Sequence, residues 1–174
     1  EFGSAVLQYD ATGDDDCLQI GWRGTREKMH THVSHSGVHD HGFNNLSTYG
    51  NLLRLGLEGR FDMCEDARAF YTLALQVSGA VQAGRWTPTA DGGGFIHSFN
   101  GPQSLFVDTV RSCRILAVSH LLGHAPRGEQ DKALDLPKRL ADHLTKTAEY
   151  NIFYGEGRDI YDIRGRTAHE TLWN

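Results

Sequence analysis

The sequence predicts an all-α fold built from helical hairpins. Apolar residues recur at intervals of three and four along separate stretches, and glycines close most of those stretches. The chain has 174 residues, of which 39% are hydrophobic and 22% charged, so it is long enough for one domain with a substantial core. Two hairpins that each bury one face cannot close such a core. We therefore expect further chain, or a partner chain, to complete it.

The N-terminal part has the weakest pattern. Residues 1–4 read like a cloning remnant, and the single domain is taken to span residues 5–174. Residues 5–29 show no clear period, and we interpret them as loop with a short strand over residues 18–22.

The next segment is rich in histidine. It contains His30, His32, His35, His39 and His41. In an extended segment, alternation would place the first two on one side of a strand, and the last two likewise. Imidazole binds zinc and other metals, but the segment has no HExxH motif and no paired cysteines. We therefore expect no metal and no cofactor, and we interpret these side chains as pocket-lining or solvated.

The first hairpin is predicted from helical spacing that begins at Phe43. One helix runs from there to Gly59, and a second runs from Asp62 to Gly84, with Glu65 completing a capping box. The tight connection makes the two helices antiparallel. The second helix is expected to bury the stripe Met63, Ala67, Phe70, Ala74, Val77 and Val81.

The second pair of helices follows a segment of turn and short strand at residues 85–103. A helix is expected from Ser104 to Gly123, and another after Gly128, where Pro137 marks a kink or the start of its second half. The expected buried positions are Phe106, Val110, Cys113, Ala117 and Leu121 in the first of these helices, and Ala133, Leu136, Leu140, Leu144 and Ala148 in the second. The tail after residue 150 is rich in Gly, Arg and Tyr.

Charge and cysteine content exclude several classes. A net charge of -5 and a pI near 6.0 do not suit a nucleic-acid surface. No apolar run approaches the roughly 20 residues of a membrane span, so no membrane partner is expected. The cysteines, Cys17, Cys64 and Cys113, have no metal-type spacing, and the last two are expected to be buried free thiols.

Asp108 is an acidic residue near the start of an otherwise apolar helical pattern. A carboxylate at this place can interact with the positive end of the helix, or it can point into a site. From this stretch alone, the structural role is the simpler interpretation.

Three segments, taken in order, resemble the signatures of the unsaturated glucuronyl hydrolases. The segment His39-Asp40-His41-Gly42-Phe43 is similar to their HD-x-GF sequence at the start of a helix. Residues 94–100, GFIHSFN, are similar to their G-x-I-x-S-W-N turn, and residues 106–109, FVDT, to their I-I-D-T/N segment. The related unsaturated rhamnogalacturonyl hydrolases are similar over the last two segments. The tail at residues 161–170 resembles uncharacterised members of the same broad group.

The resemblance covers residues 38–174 and implies a six-hairpin α/α toroid of the glycosidase type. This chain has the length of only the N-terminal half of such an enzyme, so the expected architecture is a partial barrel. The resemblance thus implies either a missing C-terminal half or a homo-oligomer. It also implies a bacterial cytoplasmic or periplasmic location.

The family removes the unsaturated uronic acid at the non-reducing end of oligosaccharides. It hydrates the C4=C5 double bond and does not attack the anomeric carbon. The resemblance makes Asp108 the general acid and base, and Asp40 the second carboxylate, which binds sugar hydroxyls and stabilises positive charge. The expected partner is an oligosaccharide with a terminal unsaturated uronic acid.

Other residues are substrate-binding candidates by the same resemblance. They are His39, His41, Trp86, His97, Phe99, Arg166 and His169. Aromatic rings can stack on sugar faces, and the fork of an arginine suits a carboxylate. Phe99 departs from the family signature, which has Trp there, so an indole N–H donor is lost and the substrate subtype is open.

Two other functions remain open. The chain can be an incomplete or non-catalytic half-barrel that binds carbohydrate or a partner chain, because a half-barrel lacks walls that exclude water. It can also be a metal-dependent enzyme built on the histidines of residues 30–41.

Overall fold

A computed structural model describes residues 1–173, and 56% of the chain is helical. The all-α expectation is confirmed at this level, because each strand has only three residues. The helices are α1 (Phe2–Thr12), α2 (Asp15–Lys28), α3 (His30–Val33), α4 (His41–Asn45), α5 (Asn51–Leu57), α6 (Glu65–Gly84), α7 (Thr109–Ser112), α8 (Arg114–Leu121) and α9 (Leu136–Asn151). The strands are β1 (Trp86–Pro88), β2 (Gly94–Ile96), β3 (Ser104–Phe106) and β4 (Glu170–Leu172).

Helices α1 and α2 occupy the region predicted as loop and strand, so that prediction is wrong. The two helices pack closely because glycines lie at their contact. A Cβ atom on Gly21 would come within 2.5 Å of Val6 Cγ2, and one on Gly24 would overlap the ring of Phe2. Residues 2–4, predicted to be a cloning remnant, form the first turn of α1.

The histidine-rich segment is not a strand. His30 and His32 lie in the short helix α3, and a loop then leads to α4. The predicted alternation of side chains is therefore wrong for this pair, because successive residues of a helix do not point to opposite faces.

The predicted first hairpin is confirmed. Helices α4 and α5 are joined by a π-helical turn at Leu46–Gly50, and together they run antiparallel to α6. His41, at the start of α4, contacts Ser78 near the end of α6. Gly56, near the end of α5, lies against Met63 just before α6. This arrangement brings the start of α4 to the C-terminal end of α6.

Helix α6 begins later than predicted and buries a different face. It starts at Glu65 with Cys64 as its N-cap, so Asp62 does not cap it, and the Cys64 thiol is exposed. Of the predicted stripe, only Ala74 is fully buried, and Phe70 is 41% exposed. The residues that the helix buries are Tyr71, Ala74, Leu75, Ser78, Gly79, Gln82 and Ala83.

The third predicted helix starts late because its first residues form strand β3. This strand pairs antiparallel with β4 of the C-terminal tail, so that Phe106 lies opposite Glu170. The helical part is α7 and α8, which end before Gly123, a residue with a φ of 77°. Cys113 is buried as predicted, whereas Leu121 is 82% exposed.

The remaining elements follow the predicted order, but the fourth helix begins at Leu136, later than predicted, and Ala133 and Leu144 of its predicted buried positions are exposed. Strands β1 and β2 form an antiparallel pair in the segment predicted as turn and strand. Helix α9 has Asp135 as its N-cap, whose carboxylate accepts a hydrogen bond from the Lys138 N–H at 2.9 Å. Pro137 lies in the first turn of α9, so it begins the helix and does not kink it. No helix within residues 1–173 combines the length and the hydropathy that crossing a membrane requires.

Candidate active site

Three polar side chains from two distant segments meet at one place. His39 and Asp40 immediately precede α4, and Asp108 immediately precedes α7. One nitrogen or oxygen atom from each side chain lies within 4.8 Å of the other two. The side chain of His39 is 2% exposed, whereas those of Asp40 and Asp108 are 27% and 31% exposed. The two carboxylates are therefore partly open to solvent, whereas the histidine beside them is buried.

Gly42 allows the two acidic segments to approach each other. A Cβ atom at this position would lie 2.5 Å from the carbonyl carbon of Ser112 and closer still to its oxygen. Helix α4 thus packs against the backbone of α7 at a distance that only glycine permits. Because Asp40 precedes α4 and Asp108 precedes α7, this backbone contact sets the separation of the two carboxylates.

His39 is held in one tautomer. Its Nδ1 accepts a hydrogen bond from the backbone N–H of Phe99 at 3.3 Å, so the proton of the neutral ring is on Nε2. That Nε2 lies 3.5 Å from Asp108 Oδ1. Burial lowers the pKa of His39, and the carboxylates of Asp40 and Asp108 oppose this effect only in part. His39 is therefore a neutral donor directed at Asp108.

The tautomer bears on metal binding. His39, Asp40 and Asp108 are the one group of three possible ligands found among residues 1–173. A metal on Nε2 would need the lone pair of that nitrogen and a proton on Nδ1, where the Phe99 N–H already points. The geometry favours a donor role for His39. His30, His32 and His35 belong to no such group of three in the described part of the chain.

Arg111 of α7 also belongs to the site, although no sequence motif pointed to it. Its guanidinium lies 3.2 Å from Asp108 Oδ2 and 4.0 Å from Asp40 Oδ1. It also lies over the ring of Phe43, 4.3 Å from the centroid. The side chain is 50% exposed and can leave its partners. The spacing of three from Asp108 on a helix is the sequence signal that could have found it.

Two of the predicted binding residues line the site. Phe99 is 57% exposed and stacks on the His39 ring, with 5.4 Å between centroids and 18° between planes. His169 packs against Phe106 at 4.6 Å, and its carbonyl accepts a hydrogen bond from the Val107 N–H at 2.9 Å. The tail thus brings an imidazole beside the aromatic residues of the site.

His97 lies at the edge of this group. Its Nδ1 is 3.2 Å from Thr87 Oγ1. Burial lowers the pKa of His97 to about 4, and the charge of Arg85 adds to this effect. The ring is therefore neutral at neutral pH and can only exchange hydrogen bonds with a ligand.

Three other predicted residues form no side-chain hydrogen bond or ion pair with Asp40 or Asp108 in the described part of the chain. His41 is buried, with Nδ1 2.9 Å from Ser78 Oγ and Nε2 2.8 Å from the His35 carbonyl. Trp86 is partly buried against the core and lies under the guanidinium of Arg139. Arg166 is exposed, and within residues 1–173 no hydrogen bond or ion pair joins it to Asp40 or Asp108.

Arg85 holds together the two segments that carry His39 and Phe99, and no sequence motif predicted this role. The buried guanidinium donates to the carbonyl oxygens of Ser36, His97 at 3.0 Å and Ser98 at 2.7 Å. Burial lowers the pKa of Arg85, and the nearby Asp40 opposes this effect. One side chain thus ties the loop before His39 to the turn that carries Phe99.

One atom of the site lacks a partner. Asp108 Oδ1 is buried and has no hydrogen bond within residues 1–173, since His39 Nε2 is too far for a normal bond. Buried acceptors normally have partners, so this oxygen is suited to a ligand hydroxyl or to a proton.

Comparisons with protein-family models, with curated proteins and with solved structures found no match. Function is therefore inferred from the chemistry of the site.

Proposed function

We propose that this chain carries the acidic site of a glycoside hydrolase that acts on oligosaccharides with a terminal unsaturated uronic acid. The observation that carries the proposal is the meeting of Asp40 and Asp108, which come from two separate signature-like segments. Asp108 has an oxygen without a hydrogen-bond partner. Beside the two carboxylates lie the exposed ring of Phe99 and the half-exposed guanidinium of Arg111.

The proposed reaction is hydration of the C4=C5 double bond. Asp108 gives a proton to C4, which leaves positive charge on C5 and the ring oxygen. Water adds to C5 while the Asp108 carboxylate takes one of its protons, so the same group serves as acid and then as base. The hemiketal opens and releases the remaining sugar. Asp40, within 4.8 Å of the same cluster, stabilises the positive charge.

The substrate carboxylate has a suitable partner in Arg111. Its guanidinium presents a planar fork that matches a carboxylate, and half of the side chain is exposed. A uronate bound there would draw Arg111 away from Asp108 and leave that carboxyl group beside His39. Phe99 offers a ring face for the sugar, and His169 and His97 offer hydrogen bonds at the edge.

The proposal extends to the architecture. The hairpin of α4–α5 with α6, and the packing of α8 against both α6 and α9, support successive hairpins of an α/α toroid. Exposed apolar side chains on one side, Leu57, Leu73 and Leu121, support a cover from a second copy or from a C-terminal half.

The test is the ultraviolet absorbance of unsaturated uronyl disaccharides mixed with the chain. Hydration removes the conjugated double bond, so absorbance falls if the reaction occurs. Asp108→Asn should abolish the fall, whereas Asp16→Asn, a change at an exposed residue of α2, should not. Arg111→Lys should raise KM more than it lowers kcat, because lysine lacks the fork. Equal activity of Asp108→Asn and the native chain would contradict the assignment.

A second candidate is a non-catalytic module that binds carbohydrate or a partner chain. The openness of the site favours it, since Phe99 is 57% exposed and both carboxylates reach solvent. A chain that binds these disaccharides by calorimetry, without any loss of absorbance, would support this candidate over the enzyme.

A further inference from the structure

A cavity of about 730 Å³ lies at the end of α6 opposite to the acidic site. It is bounded by α2, by the connection before α6 and by the first turns of α6. Gln82 of α6 supports the acidic site, and Asp66 lines the cavity, so the two places lie about 24 Å apart along the helix. The acidic site therefore does not use this cavity.

The walls of the cavity are aromatic. Trp22, Phe61, Phe70 and Tyr71 contribute to its lining. Phe70 is 41% exposed, although it lies in a helix whose other face is buried. Large apolar cavities with several ring faces are typical of small-molecule sites.

One of these rings already holds a cation. The guanidinium of Arg26 lies over Trp22, 4.6 Å from the ring centroid. Cations are attracted to the negative face of an aromatic ring, and to indole most strongly. Arg26 is an exposed residue of α2, so its side chain can leave the ring when another cation arrives.

The charges at the rim favour the same kind of ligand. Two carboxylates, Asp62 and Asp66, face one guanidinium, that of Arg26, among the residues that line the cavity. Neither carboxylate forms an ion pair within residues 1–173. The lining thus carries a net negative charge beside aromatic walls.

The cavity wall also contains a polar group without a partner. The hydroxyl of Tyr71 is buried, and no hydrogen bond reaches it within the described residues. Burial raises the pKa of Tyr71, and the nearby Trp22 indole opposes this rise without reaching hydrogen-bonding geometry. Because Tyr71 is fully buried, this hydroxyl lies behind the surface of the cavity, and the recognition of a ligand rests on the rings and the carboxylates.

We propose that this cavity binds a small organic cation of the quaternary-ammonium type, held between the aromatic walls and the carboxylates of Asp62 and Asp66. The cation replaces Arg26 over the Trp22 ring. This site is independent of the proposed hydrolase activity.

The test compares choline with 3,3-dimethylbutan-1-ol, which has the same shape and hydroxyl but no charge, by calorimetric titration of the full chain. Choline should bind about tenfold more tightly, because only the cation gains from the ring faces and the carboxylates. Equal affinities would show an apolar cavity without cation recognition. Absence of binding by choline at millimolar concentration would overturn the proposal.

Two matched variants separate ring occupancy from net charge. Arg26→Gln vacates the Trp22 ring and should tighten choline binding. Arg23→Gln removes the same charge from an exposed position of α2 outside the cavity and should leave binding unchanged. If both variants tighten binding equally, the effect is long-range charge only and the ring is not the site. Asp66→Asn should weaken binding by at most about fivefold, as expected for an exposed ion pair.

Discussion

Replacement of Gly42 by alanine tests whether a single backbone contact holds the two carboxylates together. In an open helix this change normally stabilises by about 1 kcal/mol. Here the new Cβ would lie 2.5 Å from the Ser112 carbonyl carbon, whereas ordinary contacts begin at 3.4 Å. The Ser112 carbonyl oxygen is closer still, so the helices α4 and α7 must separate by more than about 1 Å, and overpacking of this kind costs about 1–3 kcal/mol. The sign of the effect is therefore reversed.

The consequence for the site follows from the same displacement. Asp40 moves with α4 and Asp108 with α7, so their separation grows by about 1 Å. If the chain catalyses the proposed hydration, a misplacement of this size should slow the loss of absorbance from the unsaturated disaccharide about a hundredfold.

Thermal unfolding measures the first effect. The midpoint should fall by about 2–4 °C for each kcal/mol lost. The matched control is Gly84→Ala, at the last residue of α6, where an added Cβ meets no atom within 4 Å. This control should be neutral or slightly stabilising. If Gly42→Ala proves as stable as Gly84→Ala, the contact between α4 and the backbone of α7 is not tight. The explanation that Gly42 is needed to bring Asp40 close to Asp108 is then refuted.

Two further predictions concern buried basic side chains, His143 of α9 and Arg85. Burial lowers the pKa of His143 to about 4 from the ordinary 6.5, so the unfolded chain binds the proton more readily. The free energy of unfolding should therefore be constant above pH 6.5 as far as His143 is concerned, and should fall by about 3 kcal/mol as the pH drops toward 4. Denaturant titrations of His143→Gln should show a shallower pH dependence of this free energy. Arg85→Lys should lower the free energy of unfolding by about 2 kcal/mol, because an ammonium cannot serve the carbonyl groups of Ser36, His97 and Ser98 together. A thermal midpoint unchanged by that variant would contradict the role of Arg85.

The helices with periodic apolar residues could be predicted from the sequence. The hairpin of α4–α5 with α6 was recognisable from apolar spacing and from the glycine at residue 59, which has a φ of 69°. The ordered motifs also indicated that Asp40 and Asp108 would meet, as they do. The hairpin depends on local pattern, which the sequence displays directly. The approach of Asp40 to Asp108 was expected from the resemblance alone, because the two residues lie far apart in the chain.

The apolar pattern of α1 is short, with Val6 and Tyr9 as its buried apolar residues, and glycines make much of its contact with α2. Gly21 packs against Val6, and Gly24 packs against Phe2. A residue without a side chain allows the closest approach of two helices, yet it adds nothing to a hydrophobic pattern. Strand β3 was missed for a different reason, since its partner β4 lies more than 60 residues later and is visible only in the folded chain.

The buried face of α6 shows why packing and function must be read together. The sequence pattern favoured Phe70, but the helix instead buries Ser78 and Gln82 toward α4. Gln82 donates to the His39 carbonyl at 3.0 Å, and Ser78 Oγ accepts from the Asn45 amide at 2.6 Å.

Apolar residues at these two positions would add hydrophobic area to the hairpin and leave the His39 carbonyl without its donor. A helix optimised for packing alone would bury its phenylalanine and expose its glutamine. Helix α6 does the reverse: Phe70 is exposed near its N-terminal end, and Gln82 is buried near its C-terminal end, against the segment of His39 and Asp40. Local conflicts of this kind are expected where side chains are held for a function. The polar face of α6 is thus independent support for a functional site beside Asp40, and it does not depend on any resemblance.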